Sequence, residues 1–173
     1  MLSLDIDRVT KAHIGPTHGL DCHHLFSIYE KELSNYIAQL YSTKDEPGQW
    51  KKWLNLGHDG ALREEIERYA ASVKGQFDDL VVLGIGGSSL GGYALLKALC
   101  HPYWNNLSRE QRNGYPRFHF IENVDADQIS GLFDVLDLEK TLVNVITKSG
   151  TTAETMSAFL YAKGQLEAKL PPE

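Results

Sequence analysis

The stretch "TLVNVITKSGTTAETMSAFL", Thr141 to Leu160, decides the fold. An apolar run stops at Thr147, Ser149, Thr151 and Thr152, gathered around Gly150, and a helical pattern follows. The order is strand, polar turn, helix. The same order occurs twice upstream, in "DDLVVLGIGGSSLGGYALLKAL" (Asp78 to Leu99) and in "YPRFHFIENVDADQISGLFDVLD" (Tyr115 to Asp137). Three consecutive units of this kind predict an α/β layer fold with a parallel sheet. The strand runs are apolar without alternation, as expected when helices cover both faces. The crossovers should be right-handed.

Upstream of Asp78 the pattern is helical. In "DCHHLFSIYEKELSNYIAQLYS", residues Leu25, Ile28, Tyr29, Leu33, Tyr36, Ile37 and Leu40 recur at spacings of three and four and describe one face of an amphipathic helix. Pro47-Gly48 ends it in a turn. A second helix is predicted in "DGALREEIERYAASVKG", with Leu62, Ile66, Tyr69, Ala70 and Val73 on one face and Gly75 as its stop. Trp50 and Trp53, between the two, read as packing anchors.

The chain has 173 residues, 42% hydrophobic and 23% charged, with a formal net charge of -6. That is ordinary for a globular protein. No Lys/Arg cluster of the kind a nucleic-acid surface needs is visible. No segment approaches the ~20 apolar residues of a membrane span. With only Cys22 and Cys100, no disulfide framework is expected. A reducing, cytoplasmic setting is the expectation.

In parallel α/β sheets, ligands gather outside the carboxyl ends of the strands. Two of the three turns are rich in glycine and hydroxyls. In the first, Gly84, Gly86 and Gly87 follow Val81-Val82-Leu83, and Ser88-Ser89 are expected just before a helix of Leu90 to Leu99. Glycines let a ligand approach the backbone, and the helix start offers unpaired N–H groups and partial positive charge. Such a turn suits an anion, above all phosphate. In the third turn, Thr147 and Ser149 can donate hydroxyl bonds. Thr151 and Glu154 are spaced as N-cap and partner of a capping box. "GIGGSSLG" lacks both the dinucleotide fingerprint and the Gly-Lys-Ser/Thr of a P-loop, so a sugar phosphate fits better than a nucleotide.

Three motifs in this order and spacing resemble the glucose-6-phosphate isomerases: "GIGGSSLG" (Gly84 to Gly91), "ENVDADQI" (Glu122 to Ile129) and "TKSGTTAET" (Thr147 to Thr155). The resemblance is to their N-terminal sugar-isomerase (SIS) domain, and to the bacterial type with "KSGTT" more than to the animal type with "KTFTT". "WLNL" (Trp53 to Leu56) is similar to the tryptophan segment of the bacterial type, and the likeness runs from about Trp53 to Leu160. It implies a three-layer αβα, flavodoxin-like SIS domain whose first part is residues 76–173, preceded by a helical region at 1–75. With three strands and a last helix lacking a strand to return to, the chain is expected to be a truncated piece.

By position, the resemblance implies phosphate contacts from Gly87 and Ser88. It implies hydroxyls from Thr147, Ser149 and Thr152, with the N–H groups of Lys148, Gly150 and Thr151 lining the same loop. The family usually has Ser at position 147 and Pro at position 92, where Gly92 should loosen the helix start. The implied reaction interconverts glucose 6-phosphate and fructose 6-phosphate in glycolysis and gluconeogenesis, by ring opening and proton transfer through an enediol. No metal or organic cofactor and a homodimeric full-length enzyme are implied. The glutamate base, the histidine and lysine of ring opening and an arginine belong to family motifs beyond Glu173, so no catalytic residue is expected here and the piece should be inactive. A regulatory or other phosphosugar-binding SIS protein is the alternative.

The remaining polar residues have plainer readings. Asp125 should cap a helix, Asp127 should be solvated, His119 should be a packed core histidine, and Cys100 should be buried filler. Adjacent His23 and His24 do not share a helix face as metal ligands would.

Overall fold

The computed structural model describes residues 5–48 and 51–170. It divides into two compact units, one ending at Arg63 and one beginning at Glu64. The reading of Trp50 falls outside the described residues.

The first unit is helical. A four-residue helix α1 (Lys11–Ile14) precedes the long α2 (Cys22–Ser42). Asp21 caps α2, its side chain accepting the His24 N–H at 3.0 Å, and Lys11 pairs with the same carboxylate at 3.2 Å. The predicted helix is present, yet its apolar face is not buried: Leu33, Tyr36 and Ile37 are exposed, and so is Trp53, at 62%. Trp53 is therefore not a packing anchor among the described residues. It lies in a 3-10 segment, Lys52–His58, with no buried residue. The helix α3 (Gly60–Val73) follows, and Gly75, at φ +80°, ends it as expected.

The second unit carries three parallel strands, β1 (Asp79–Leu83), β2 (Arg117–Ile121) and β3 (Thr141–Val145), in the order β2-β1-β3. Asp79 is level with Arg117 and Thr141, and Leu83 with Ile121 and Val145, so the carboxyl ends are flush. The helices are α4 (Gly87–Leu99), α5 (Ala126–Val135) and α6 (Ala153–Lys169). Asp125 caps α5 by accepting the Gln128 N–H at 2.8 Å, as read from the sequence, and Asp127 is exposed in its first turn.

Strand side chains alternate between two faces. Val81, Leu83, Ile121, Val143 and Val145 point to one face, where Ile129 and Phe133 of α5 and Ala158 and Ala162 of α6 complete the core. Fully burying one such aliphatic side chain contributes roughly 1.5–3 kcal/mol. Ala158 and Ala162, one turn apart and 3% and 1% exposed, let α6 approach the sheet closely. On the other face Phe120 of β2 packs edge-on against Tyr93 of α4, with centroids 5.2 Å apart. The connection after β1 thus leaves to one face, and those after β2 and β3 leave to the other.

His119 lies in β2, as predicted, but it is not packed in an apolar core. Its Nε2 lies 2.8 Å from Oδ1 of the fully buried Asp79, which Arg117 also grips. A carboxylate at the foot of β1 draws both bases toward it, because a buried charge must be paired. Cys100, the residue that ends α4, is half-buried and lines a cavity beneath that helix, so it is not sealed filler.

Candidate functional site

β1 and β3 are adjacent, and the chain leaves their carboxyl ends toward opposite faces of the sheet. Such a switch point opens a crevice between the two loops, which is where doubly wound sheets bind their ligands. The loops start level. The Gly84 N–H donates to the Ile121 carbonyl at 3.4 Å, and the Ile146 N–H donates to the Leu83 carbonyl at 2.9 Å. Neighbouring strands lie about 4.8 Å apart, so the glycine loop after β1 and the hydroxyl loop after β3 flank one space.

The glycine loop is shaped by Gly86, at φ +56° and ψ -121°, a conformation open essentially to glycine alone. Gly84 packs against the next turn: a Cβ there would meet the Ser88 Cβ at 3.1 Å. Helix α4 starts at Gly87, earlier than the sequence suggests, so Ser88 and Ser89 belong to its first turn and do not precede it. Gly86 as N-cap has no side chain to satisfy the first amides. Among the described residues no acceptor takes the Gly87 N–H. Ser88 is half-buried, and Ser89 is 1% exposed. Ser88 lines the near end of a cavity of about 360 Å³ that runs beneath α4 to Leu99 and Cys100, with Val82, Asn144 and Ile146 on its sheet side. Gly92, expected at the helix start, lies inside α4 facing Phe120.

The β3 loop carries Thr147, Lys148, Ser149, Gly150, Thr151 and Thr152, the first five exposed and Thr152 half-buried. Gly150 is at φ +73°. Its N–H donates to Thr147 Oγ1 at 3.1 Å, and the Thr151 N–H donates to Ser149 Oγ at 3.2 Å. The Thr151 hydroxyl lies 3.0 Å from the same Ser149 Oγ. The loop therefore curls around its own hydroxyls. The capping box of Thr151 and Glu154 does not form: α6 starts at Ala153, Thr152 is the N-cap, and no side chain caps the helix. Ser149 holds Thr151 back from the capping position. The first amides of α6 are left for another acceptor.

Every residue singled out for phosphate contact thus lies on one of these two loops or at the helix starts they lead into. Two helix N-termini bring partial positive charge to the crevice. Of the nearby carboxylates, Glu122 at the end of β2 accepts a bond from Ser89 at 3.1 Å, and Glu154 is exposed in the first turn of α6. Neither is set up as a base. The Ser89–Glu122 contact was not legible from the sequence, because it depends on the register of β2 beside β1. Among the described residues, no group of three or more His, Cys, Asp or Glu side chains could hold a metal ion.

A family model described as phosphoglucose isomerase matches residues 62–171. Among curated relatives, a glucose-6-phosphate isomerase of Rubrobacter xylanophilus is 51% identical over 142 residues, 81% of this chain and 32% of that protein. One of Carboxydothermus hydrogenoformans is 46% identical over 146 residues, 82% of this chain and 30% of the relative. A crystal structure of a hypothetical protein from Thermus thermophilus superposes with a TM-score of 0.70 at 32% identity, over 86% of this chain and 32% of that one. The chain spans about a third of the length of the relatives it matches.

Proposed function

The chain belongs to the phosphoglucose isomerase family, and from that premise we propose that it supplies the phosphate-holding loops of a glucose-6-phosphate isomerase. The enzyme interconverts glucose 6-phosphate and fructose 6-phosphate in glycolysis and gluconeogenesis. The observation that carries this reading is the pairing of a glycine turn and a hydroxyl turn at the flush ends of adjacent strands β1 and β3, where the chain departs to opposite faces.

In this reading the Gly87 N–H and the Ser88 hydroxyl take one side of the phosphate. Thr147, Ser149 and Thr152 take the other with their hydroxyls, beside the amides of Lys148, Gly150 and Thr151. The Thr147 and Ser149 hydroxyls, now accepting from within the loop, turn their protons toward the incoming dianion. Bonds between such groups and a charged oxygen are roughly twice as strong as neutral ones. Anchoring C6 through its phosphate leaves C1 and C2 at a fixed reach from the crevice. Isomerisation then moves a proton from C2 to C1 while O1 gains and O2 loses one. The base for that transfer and the groups that open the ring come from outside these residues, so the chain by itself binds and does not turn over. We read 1–75 as a helical region and 76–173 as the first part of the SIS domain. The full enzyme is read as a cytoplasmic homodimer, a location that the two free cysteines suit.

The test is a titration of the isotope-labelled chain with 6-phosphogluconate, beside an isomerase assay. The expected result is shifts at the amides of Gly87, Ser88, Ser149 and Gly150, with no turnover. A Ser149→Ala chain should bind about ten- to a hundredfold more weakly, the worth of a hydrogen bond to a charged group. Unmoved amides, or turnover by the chain alone, would overturn the reading.

A further inference from the structure

We infer that Ser89 and Glu122 are a positioning pair that aims the glycine loop at the phosphate; the inference rests on the reading of that loop as a phosphate cradle. Ser89, in the first turn of α4, is 1% exposed. Its hydroxyl lies 3.1 Å from Glu122 Oε1 and 3.3 Å from the Gly86 carbonyl. One hydroxyl proton serves one acceptor well, and the carboxylate is both nearer and charged, so the bond runs to Glu122.

The loop needs such a tie. Gly86 and Gly87 have no side chains to pack, and no side chain caps α4. Glu122 follows Ile121, the last residue of β2, whose carbonyl receives the Gly84 N–H. The loop is thereby fastened to the end of β2 at two points, one before the glycines and one after them. Ser88, between the two fastenings and the cavity, takes its direction from them. Glu122 reaches the cradle through Ser89, the partner its carboxylate accepts from.

The arrangement sets an acceptor where the charge is a liability, since a carboxylate close to an anion site repels the ligand. The pair therefore works through geometry, and a neutral acceptor of the same shape should serve as well or better. Compare Ser89→Ala, Glu122→Ala, Glu122→Gln and the Ser89→Ala/Glu122→Ala double variant of the 173-residue chain. Measure 6-phosphogluconate affinity, melting temperature and the amide spectrum without ligand. Ser89→Ala and Glu122→Ala should each weaken binding by up to about tenfold, the worth of one hydrogen bond. The double variant should lose no more than either single one. Glu122→Gln should bind at least as tightly as the parent chain, which a purely structural loss would not produce. In the ligand-free spectrum the amides of Gly86 to Ser88 should move in Glu122→Ala. If those amides stay put, or the two losses add, the pair is overturned whatever the ligand does. If the parent chain itself fails to bind while the amides do move in Glu122→Ala, the cradle reading fails and the tie between β2 and α4 stands.

Discussion

Asp79 at the foot of β1 and Arg117 at the foot of β2 stand side by side in the register, and the arginine grips the carboxylate through two bonds of 2.8 and 2.6 Å. The Asp79 side chain is fully buried, and the Arg117 side chain is 41% exposed. Asp79 in return holds the Arg117 guanidinium above its already high ordinary range, by hydrogen bonding first. A raised cation contributes stability at every pH below that range and loses it only in strong alkali. The ionisation of Arg117 itself is therefore no source of pH dependence near neutrality.

Removing Arg117 would leave Asp79 buried with His119 alone. Breaking a buried pair costs about 3–5 kcal/mol, and the exposure of the arginine lowers the expectation for Arg117→Ala to about 2–3 kcal/mol. Urea denaturation checks it. A loss under about 0.5 kcal/mol, the range of an ordinary surface change, would mean the pair does not hold the two strands.

Gly86 tests the other end of the sheet. A side chain at φ +56° and ψ -121° is strained whatever space surrounds it. Gly86→Ala should cost about 1–3 kcal/mol in stability. It should also weaken 6-phosphogluconate binding, because the relaxed loop no longer presents Gly87 and Ser88. Calorimetric melting and the titration together check this. An unchanged melting temperature would show that the turn tolerates another conformation.

Those two ends differ in how far the sequence discloses them. Val81-Val82-Leu83 before a glycine cluster reads as strand and turn, because apolar burial and positive φ each leave a mark on residue type. The helix start at Gly87 does not, since Ser88 and Ser89 are equally at home before a helix and in its first turn. Thr151 and Glu154 have the right spacing for a capping box, yet Ser149 captures Thr151 by a contact two residues away, and the helix begins one residue later. His119 reads as core because its strand is apolar. Its bond to Asp79 joins residues 40 apart and exists only through the pairing of β1 with β2. Local chemistry is legible in the sequence; contacts that depend on register are not.

Asn105 shows what such a contact does at an edge. It sits in a 3-10 turn before β2, and its side chain pairs with both backbone groups of Phe118: the Phe118 N–H donates to Oδ1 at 2.9 Å, and Nδ2 donates to the Phe118 carbonyl at 2.8 Å. β2 is an outer strand, and an outer strand with free groups recruits other chains. Asn105→Ala should cost about 1–3 kcal/mol, the penalty for leaving partly buried groups unpaired. It should also promote self-association, measured by sedimentation against the parent chain. An aspartate in its place keeps the acceptor and loses the donor, so Asn105→Asp should fall between the two.

The start of α2 should carry an acid-range pH dependence of its own. The Asp21 carboxyl is held below its ordinary value of 3.8, chiefly by the His24 N–H and then by Lys11. Asp45 is lowered in the same direction by Lys44 and then Asn55. A lowered carboxyl contributes stability that is complete above the unfolded value and fades as pH falls through the folded one. The start of α2 should therefore hold from neutrality down to about pH 4 and fray below it. Hydrogen exchange at the His24 amide, followed from about pH 7 to about pH 2 and corrected for intrinsic rates, reads this directly. Asp21→Asn keeps a side-chain oxygen for the cap but has no carboxyl to titrate. Its His24 protection should be lower near neutrality and flat through the acid range. An acid-induced loss of the same size in both chains would mean that another group, and not the Asp21 cap, governs the end of the helix.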